Sequence, residues 1–442
     1  MTRTRRANKN VILTRLLGIF LSLIVTPIFA VDGQIDILPS PTTGYTINSP
    51  GSYILVADVT ITATDIDGIT IDADDVTLDL NGHKITGPGS GTGAGIRRQI
   101  TKGYRTHILN GKVSGFQFGI LINEDSTLEN ITADSNQSYG IRAANNCRII
   151  RCAASNNVGY GIYADGTSCY VENCVARFNN KTGYNGGIYV NDYGIVKNCL
   201  VAANNPLSGS DQKTTGISAG KGCKIINNHV TGHRTTASAS PGSIYGIGSG
   251  SNCEIRNNSV VDNLCGTASG FCEGIYASDN CTIRENLCNQ NKVSENQSSS
   301  IGIRCFERCL VINNQCNDNS SLAGTTGSGG FGIYTNMSNC TIIGNTCIGN
   351  NSSSVSCGIV SGIGARIEDN YCSNHTGALM ENYGIKVGSE DCMVINNRTD
   401  DNSGKGIILT GTGNYVAENV SSDGIDAGTN TVGTGDRSNI TY

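Results

Sequence analysis

Short bursts of period-two alternation run along the chain, and each opens on the same two residues. After a glycine come Ile120-Leu121-Ile122, Ile141-Arg142-Ala143, Ile162-Tyr163-Ala164, Ile188-Tyr189-Val190, Ile275-Tyr276-Ala277 and Ile385-Lys386-Val387. The first and third residues are apolar or small and the middle one is free to be polar, which is the pattern of a strand with one buried face. A second burst follows about eight residues later, as in Cys253-Glu254-Ile255-Arg256 and Cys281-Thr282-Ile283-Arg284. The Gly-Ile start recurs from Gly68 to Gly406 at intervals of 21 to 30 residues, with a mean of 26. A period of this size marks a solenoid, whose units bury their apolar faces only against one another. Variable spacing around a constant anchor places the insertions in loops.

Strands this short, two or three to a coil and repeated without helical segments, predict an all-β chain. The architecture is a single-stranded right-handed parallel β-helix (solenoid) of about 14 coils, since parallel crossovers take that hand almost without exception. Stacking coils about 4.8 Å apart brings like residues into columns. One column is isoleucine. Another is asparagine: Asn228, Asn258, Asn286, Asn314, Asn345, Asn370, Asn397 and Asn419. A ladder of buried amides explains their register, whereas asparagine as a general turn former explains only single positions.

Composition agrees. Glycine takes 57 of 442 positions and asparagine 50, and both are poor helix formers. An apolar content of 38% with only 15% charged residues argues against disorder. The 19 cysteines also fall into register. Cys147, Cys169, Cys223, Cys253, Cys281, Cys309, Cys340 and Cys392 precede the second strand, and Cys288, Cys316, Cys347 and Cys372 follow the asparagine column by two. Cys152, Cys174 and Cys199 stand where later coils carry that asparagine. They read as stacked interior thiols acting as small hydrophobes. Off the columns, Cys265 and Cys272 flank a loop and are placed to pair. No Cys-x-x-Cys occurs, so no structural zinc site is expected.

Residues 1–30 have a basic start ending at Arg15, then an apolar run from Leu16 to Ala30, the form of a secretory signal peptide. Removing it takes the formal charge from −5 to −10, which argues against nucleic acid as a partner. The expected division is a signal at 1–30, an N-terminal cap at 31–67, the β-helix at 68–420 and a C-terminal cap or tail at 421–442. The expected location is secreted, periplasmic or cell-surface, with no stable membrane span after signal cleavage. No oligomeric state follows from the pattern.

Over residues 68–420 the chain resembles the pectin-lyase-like, right-handed β-helix repeat proteins. The Gly-Ile starts, the asparagine column and the opening Ile71-Asp72-Ala73-Asp74-Asp75-Val76-Thr77-Leu78-Asp79-Leu80-Asn81-Gly82-His83 carry the likeness. The resemblance implies the fold more than any activity, because this fold hosts lyases, hydrolases, epimerases and adhesins. Family signatures for acidic polysaccharides do not carry over. Asp74-Asp75 is present without Asn-Thr-Asp or Gly-His-Gly, tryptophan is absent, and no proline adjoins an aspartate.

Candidate chemistry is sparse. Asp65, Asp67, Asp72, Asp74, Asp75 and Asp79 offer oxygens that suit calcium, but turns favour aspartate anyway. His229 and His233 lie four apart outside any helix, where that spacing makes no metal face. Arg97, Arg98, Lys102, Arg105 and Lys112 form a basic stretch suited to a uronate or to a solvated coil edge. The catalytic residues are unknown, no metal ligand set is identified, and no cofactor is expected. The feature that stands out is the outward column after each inward isoleucine, which includes Arg142, Tyr163, Tyr189, Tyr276, Arg304 and Tyr334. Tyrosine offers a sugar ring an apolar face and a polar tip, and arginine pairs with carboxylates. These six are the glycan-binding candidates, set against the plain alternative of β-favouring residues on an exposed strand. Two functions follow: a non-catalytic protein binding polysaccharide or cell-envelope glycan, or a lyase, epimerase or hydrolase on acidic glycans with an unrecognised site.

Overall fold

The computed structural model describes residues 33–99, 104–179, 186–205, 213–235, 242–266, 270–294, 299–321, 328–378, 381–433 and 438–441. The expected signal peptide at 1–30 and Lys102 lie outside them. Every pairing between named strands is parallel, so the chain is a β-solenoid, and the repeat read from the sequence is its repeat. The front sheet has 16 strands, from Tyr45–Ile47 to Ile425–Asp426, and includes one after each of the Gly-Ile starts. In each coil the chain then turns a first corner, lays down a side strand such as Glu254–Arg256, turns a second corner, and lays down a back strand such as Ser259–Val261. In the middle coils a third corner precedes a further short sheet formed by Arg234–Thr235, Leu264–Cys265, Lys292–Val293 and Ser320–Ser321.

Both ends continue the stack. Ile35–Ile37, Tyr45–Ile47, Gly51–Leu55 and Val59–Thr60 pair in parallel with strands that follow them. At the other end Ile425–Asp426, Thr431–Val432 and Ile440–Thr441 pair back onto the preceding coil. Among the described residues no helix is long and apolar enough to cross a membrane.

Ile217, Ile247, Ile275, Ile303, Ile333, Ile359 and Ile385 form one fully buried column, each contributing roughly 1.5–3 kcal/mol. The glycine before each has a steric reason. A Cβ on Gly274 would lie 2.6 Å from the Gly302 carbonyl oxygen of the next coil and 2.9 Å from the Asn291 amide nitrogen.

The asparagine column is a ladder at the second corner. Asn286 Oδ1 accepts from the backbone and side-chain amides of Asn258 at 2.9 and 3.0 Å. Its Nδ2 donates to Ile255 O at 2.9 Å and Asn314 Oδ1 at 3.0 Å. Cys199 occupies the same column, its backbone N–H donating to Asn228 Oδ1. A second ladder, which the sequence reading missed, fills the third corner: Asn136, Asn157, Asn179, Asn204, His233, Asn263, Asn291, Asn319, Asn350, His375 and Asn402. It ends on Asp423, which accepts from Asn402 Nδ2 at 2.8 Å. The residue before a ladder asparagine has a positive φ, as at Asn257 (55°), Glu285 (57°) and Asn313 (54°). In an Asn-Asn pair the first residue therefore makes the left-handed turn, which asparagine tolerates, and the second joins the ladder. The two accounts of asparagine both hold, one residue apart.

We expect Asn286→Ala to cost about 2–4 kcal/mol, because it strips buried partners from Asn258, Asn314 and Ile255 together. Equilibrium unfolding in urea reads the loss, and a change below about 0.5 kcal/mol would refute the ladder's structural role.

All nineteen cysteines are buried, and none forms a disulfide. The Cys265–Cys272 pairing that the sequence left open does not form: the Cys265 thiol donates to Gly242 O and the Cys272 thiol to Asn263 O. The spacers between corners are constant. From Ser126 to Asn402, five residues separate the first corner from the second, and five the second from the third. The stretch from the third corner to the next Gly-Ile varies most, from 4 to 13 residues, while the span from Gly-Ile to the first corner is 7 or 8.

Candidate functional site

The outward column of the front sheet is in the expected register. Strand pairing aligns Arg97, Leu121, Arg142, Tyr163, Tyr189, Ser218, Gly248, Tyr276, Arg304, Tyr334, Val360 and Lys386 in successive coils. The column has three parts. The first is an aromatic stack in which the Tyr163 ring lies 4.6 Å from Tyr139 and 4.9 Å from Tyr189, near parallel to both. Both faces of Tyr163 are thus taken by tyrosines, and among the described residues no aromatic ring stacks on Tyr189 from the Ser218 side. Phe118 and Tyr160 flank the stack. Burial raises the pKa of Tyr163 and of Tyr189.

The second part is the floor. Between Tyr189 and Tyr276 the column carries only Ser218 and Gly248, so three coil spacings, about 14 Å, separate the two tyrosines. Thr215, Ser218, Gly248 and Ser249 line a shallow depression of about 340 Å³ with Tyr245 and Tyr276 beside it. The Tyr245 and Tyr276 rings lie 5.2 Å apart, and Tyr276 meets Phe306 edge-on at 5.6 Å.

The third part is an ion pair. Arg304 Nη1 donates to Glu273 Oε1 at 2.9 Å. Glu273 is wholly buried, and the Arg304 side chain is only 20% exposed. The sequence expectation of an open Arg304 is therefore corrected, because this guanidinium neutralises a carboxylate beneath it. Its carbon lies 5.5 Å from the Phe271 ring, 5.8 Å from Phe306 and 6.0 Å from Tyr334, within cation–π range. Glu273 Oε2 and Arg304 Nε have no hydrogen-bond partner among the described residues. Burial drives the Glu273 pKa up to about 7, and Arg304 only partly offsets the rise.

Tyr245 and Glu273 were missed because the column was traced only through the residue after each isoleucine. Both stand immediately before Gly-Ile. Cys272 and Ile275 are both buried in the core although three residues apart, so strict alternation slips at Glu273-Gly274. Of the remaining candidates, Arg142 is ion-paired with Asp165 at 2.7 Å, and Tyr334 packs on Phe331 at 5.2 Å.

The N-terminal acids do not converge. Asp67 binds Arg97, Asp75 binds Arg105, Asp65 accepts from Thr92, Asp74 accepts from Tyr104 N–H, and Asp79 accepts from Asn81 N–H. The basic stretch is likewise divided: Arg98 is buried and donates to Glu124 O, and Lys112 faces Asp134 at 3.7 Å. His229 is exposed and His233 is buried in the ladder, so they face apart.

No protein-family model and no curated protein matches the chain. Solved structures similar to it include three right-handed parallel β-helix proteins. A Dettilon tailspike protein is 14% identical, with a TM-score of 0.24, over 92% of this chain and 60% of that one. The tailspike protein of E. coli bacteriophage HK620, as a double mutant, is 13% identical over 82% and 73%, with a TM-score of 0.34. The A-module of Azotobacter vinelandii mannuronan C-5 epimerase AlgE4 is 10% identical over 89% and 91%, with a TM-score of 0.29. This chain therefore spans 60% of the length of the first tailspike. At such similarity the fold rests on the strand pairing described above, and no residue's role transfers.

Proposed function

We propose that this chain is an exported β-helix protein that binds a polysaccharide or cell-envelope glycan across its front sheet, in the slot between Tyr189 and Tyr276. One observation carries the reading: a floor of small and hydroxyl-bearing residues lies between two aromatic clusters of the front sheet. Aromatic faces with nearby hydroxyls suit the apolar faces and polar rims of sugar rings. Export follows from the basic and apolar N-terminal segment. The binding needs no cofactor.

The enzyme reading draws on one observation, the raised Glu273 pKa beside an arginine, a combination common at catalytic sites. Two facts favour binding without catalysis. Glu273 is fully covered, and its carboxylate bonds to Arg304. Glycoside hydrolysis ordinarily uses a pair of carboxylates, and none is among the described residues lining the depression.

Gly248→Val tests the slot. A Cβ there meets only Thr215 Cγ2 at 3.6 Å and Tyr245 Cβ at 3.8 Å, ordinary contacts, so the strand accepts a branched side chain that fills the floor. On a glycan identified by array, we expect this variant to lose binding by about tenfold or more while its thermal unfolding stays within about 0.5 kcal/mol of the parent. Tyr189→Ala should weaken the same ligand, and affinity should rise with oligosaccharide length until the slot is filled. Unchanged binding by Gly248→Val would remove the slot as the site.

A further inference from the structure

Three thiols converge in the core where the sequence shows no metal-binding motif. Cys305, Cys309 and Cys340 are buried, and their three sulfur atoms all lie within 4.8 Å of one another. Among the described residues this is the one group of three or more cysteine, histidine or carboxylate side chains so arranged.

The triangle has a structural origin. Cys309 and Cys340 belong to the first-corner column, in adjacent coils. That column alone gives a straight file of thiols, in which every second member is about 9.6 Å away and three cannot meet. Cys305 reaches the same point from the front strand, in a column where neighbouring coils carry Ala277 and Thr335. Sequence positions four apart supply two donors, and the next coil supplies the third.

We infer that Cys305, Cys309 and Cys340 form a binding site for a thiophilic d10 cation such as zinc or copper(I), held by three thiolates. Sulfurs around a trigonal ion at the usual zinc–sulfur length of about 2.3 Å stand about 4 Å apart, so the triad closes on an ion by less than about 1 Å per pair. Three sulfur donors select soft or borderline d10 ions over calcium or magnesium. In the free protein the Cys309 thiol donates to Ser278 O at 3.1 Å and the Cys340 thiol to Phe306 O at 2.9 Å. Binding replaces three S–H bonds by three metal–sulfur bonds and releases three protons for each divalent ion, with no change of oxidation state. Affinity therefore rises with pH.

The test uses the full reduced chain under argon, titrated with cadmium(II) as a spectroscopic probe. The expected result is a sulfur-to-cadmium charge-transfer band saturating at one equivalent, with three protons released and a higher unfolding temperature. Zinc(II) should displace the probe. Cys305→Ala should abolish the band, and Ala277 at the same position one coil away shows that alanine fits. Cys305→Ser is the second variant, since Ser249 and Ser361 occupy that column elsewhere. Cys288→Ala, in a different column, should bind like the parent. Absence of a one-equivalent band in the parent overturns the inference. So does its persistence in both Cys305 variants, which would mean that any two stacked thiols suffice.

Discussion

Arg304→Ala should destabilise the protein more at pH 8 than at pH 5, by about 1.4 kcal/mol. Among the described residues this guanidinium is the one cation bonded to a fully buried carboxylate, and removing it leaves that group to stay neutral by holding its proton. The pH dependence follows from Glu273. Its pKa rises from the ordinary 4.5 to about 7 in the folded protein, so the folded state holds the proton more tightly than the unfolded state. The stability associated with this group is complete below about pH 4.5 and is lost as pH rises through 7, a change of roughly 3 kcal/mol. Without Arg304 the pKa moves higher still, and the penalty concentrates at neutral and alkaline pH. Urea midpoints at pH 5 and pH 8 measure it. Glu273→Gln in the Arg304→Ala background should restore most of the loss at pH 8. Equal destabilisation at both pH values would show that Arg304 acts by packing alone.

Acid should unfold the protein through the two ladder histidines, and replacing both by asparagine should extend its stability to lower pH. His233 and His375 sit in the third-corner ladder, fully buried, with Nδ1 accepting from the backbone N–H of Asn204 and of Asn350 at 3.2 Å. Burial lowers each pKa from 6.5 to about 4. The unfolded chain therefore binds more protons between those values. Stability is complete above about 6.5 and is lost as pH falls toward 4, by roughly 3 kcal/mol for each histidine. Asparagine already fills this column in the coils on either side, so His233→Asn with His375→Asn keeps the ladder and removes the titration. Circular dichroism against pH reads the midpoint. A double variant that unfolds at the parent's pH would place the acid sensitivity elsewhere, in the paired surface carboxylates.

The fold was legible because a solenoid repeats its physics. Each coil presents the same glycine, isoleucine and asparagine to the same neighbours, so register could be counted directly from the Gly-Ile starts. The second ladder escaped because asparagine also fills the left-handed turn positions, and the column five residues on is interrupted by His233 and His375. The site was less legible for a related reason. Tracing the residue after each isoleucine found Tyr163, Tyr189, Tyr276 and Arg304, but strand alternation slips at Glu273-Gly274 and hides Glu273 and Tyr245. Nothing local in the sequence marks Arg304 as paired, since its partner lies 31 residues away. The thiol triad was hidden likewise, because its third member comes from the next coil.

The constant spacers between corners set where this lineage can change. A residue inserted between Cys281 and Asn286, or between Asn286 and Asn291, displaces an amide from its ladder and is penalised in three coils at once. The stretch between the third corner and the next Gly-Ile already ranges from 4 to 13 residues with the ladders intact on both sides. That stretch leads into the longer front strands that carry Tyr245, Glu273 and Phe331. Length changes among the coils are thus largest at the border of the slot, and the spacers between corners admit none from Ser126 to Asn402. The solenoid thus confines its largest differences between coils to the approach to the front sheet, while the corners beneath keep one spacing throughout.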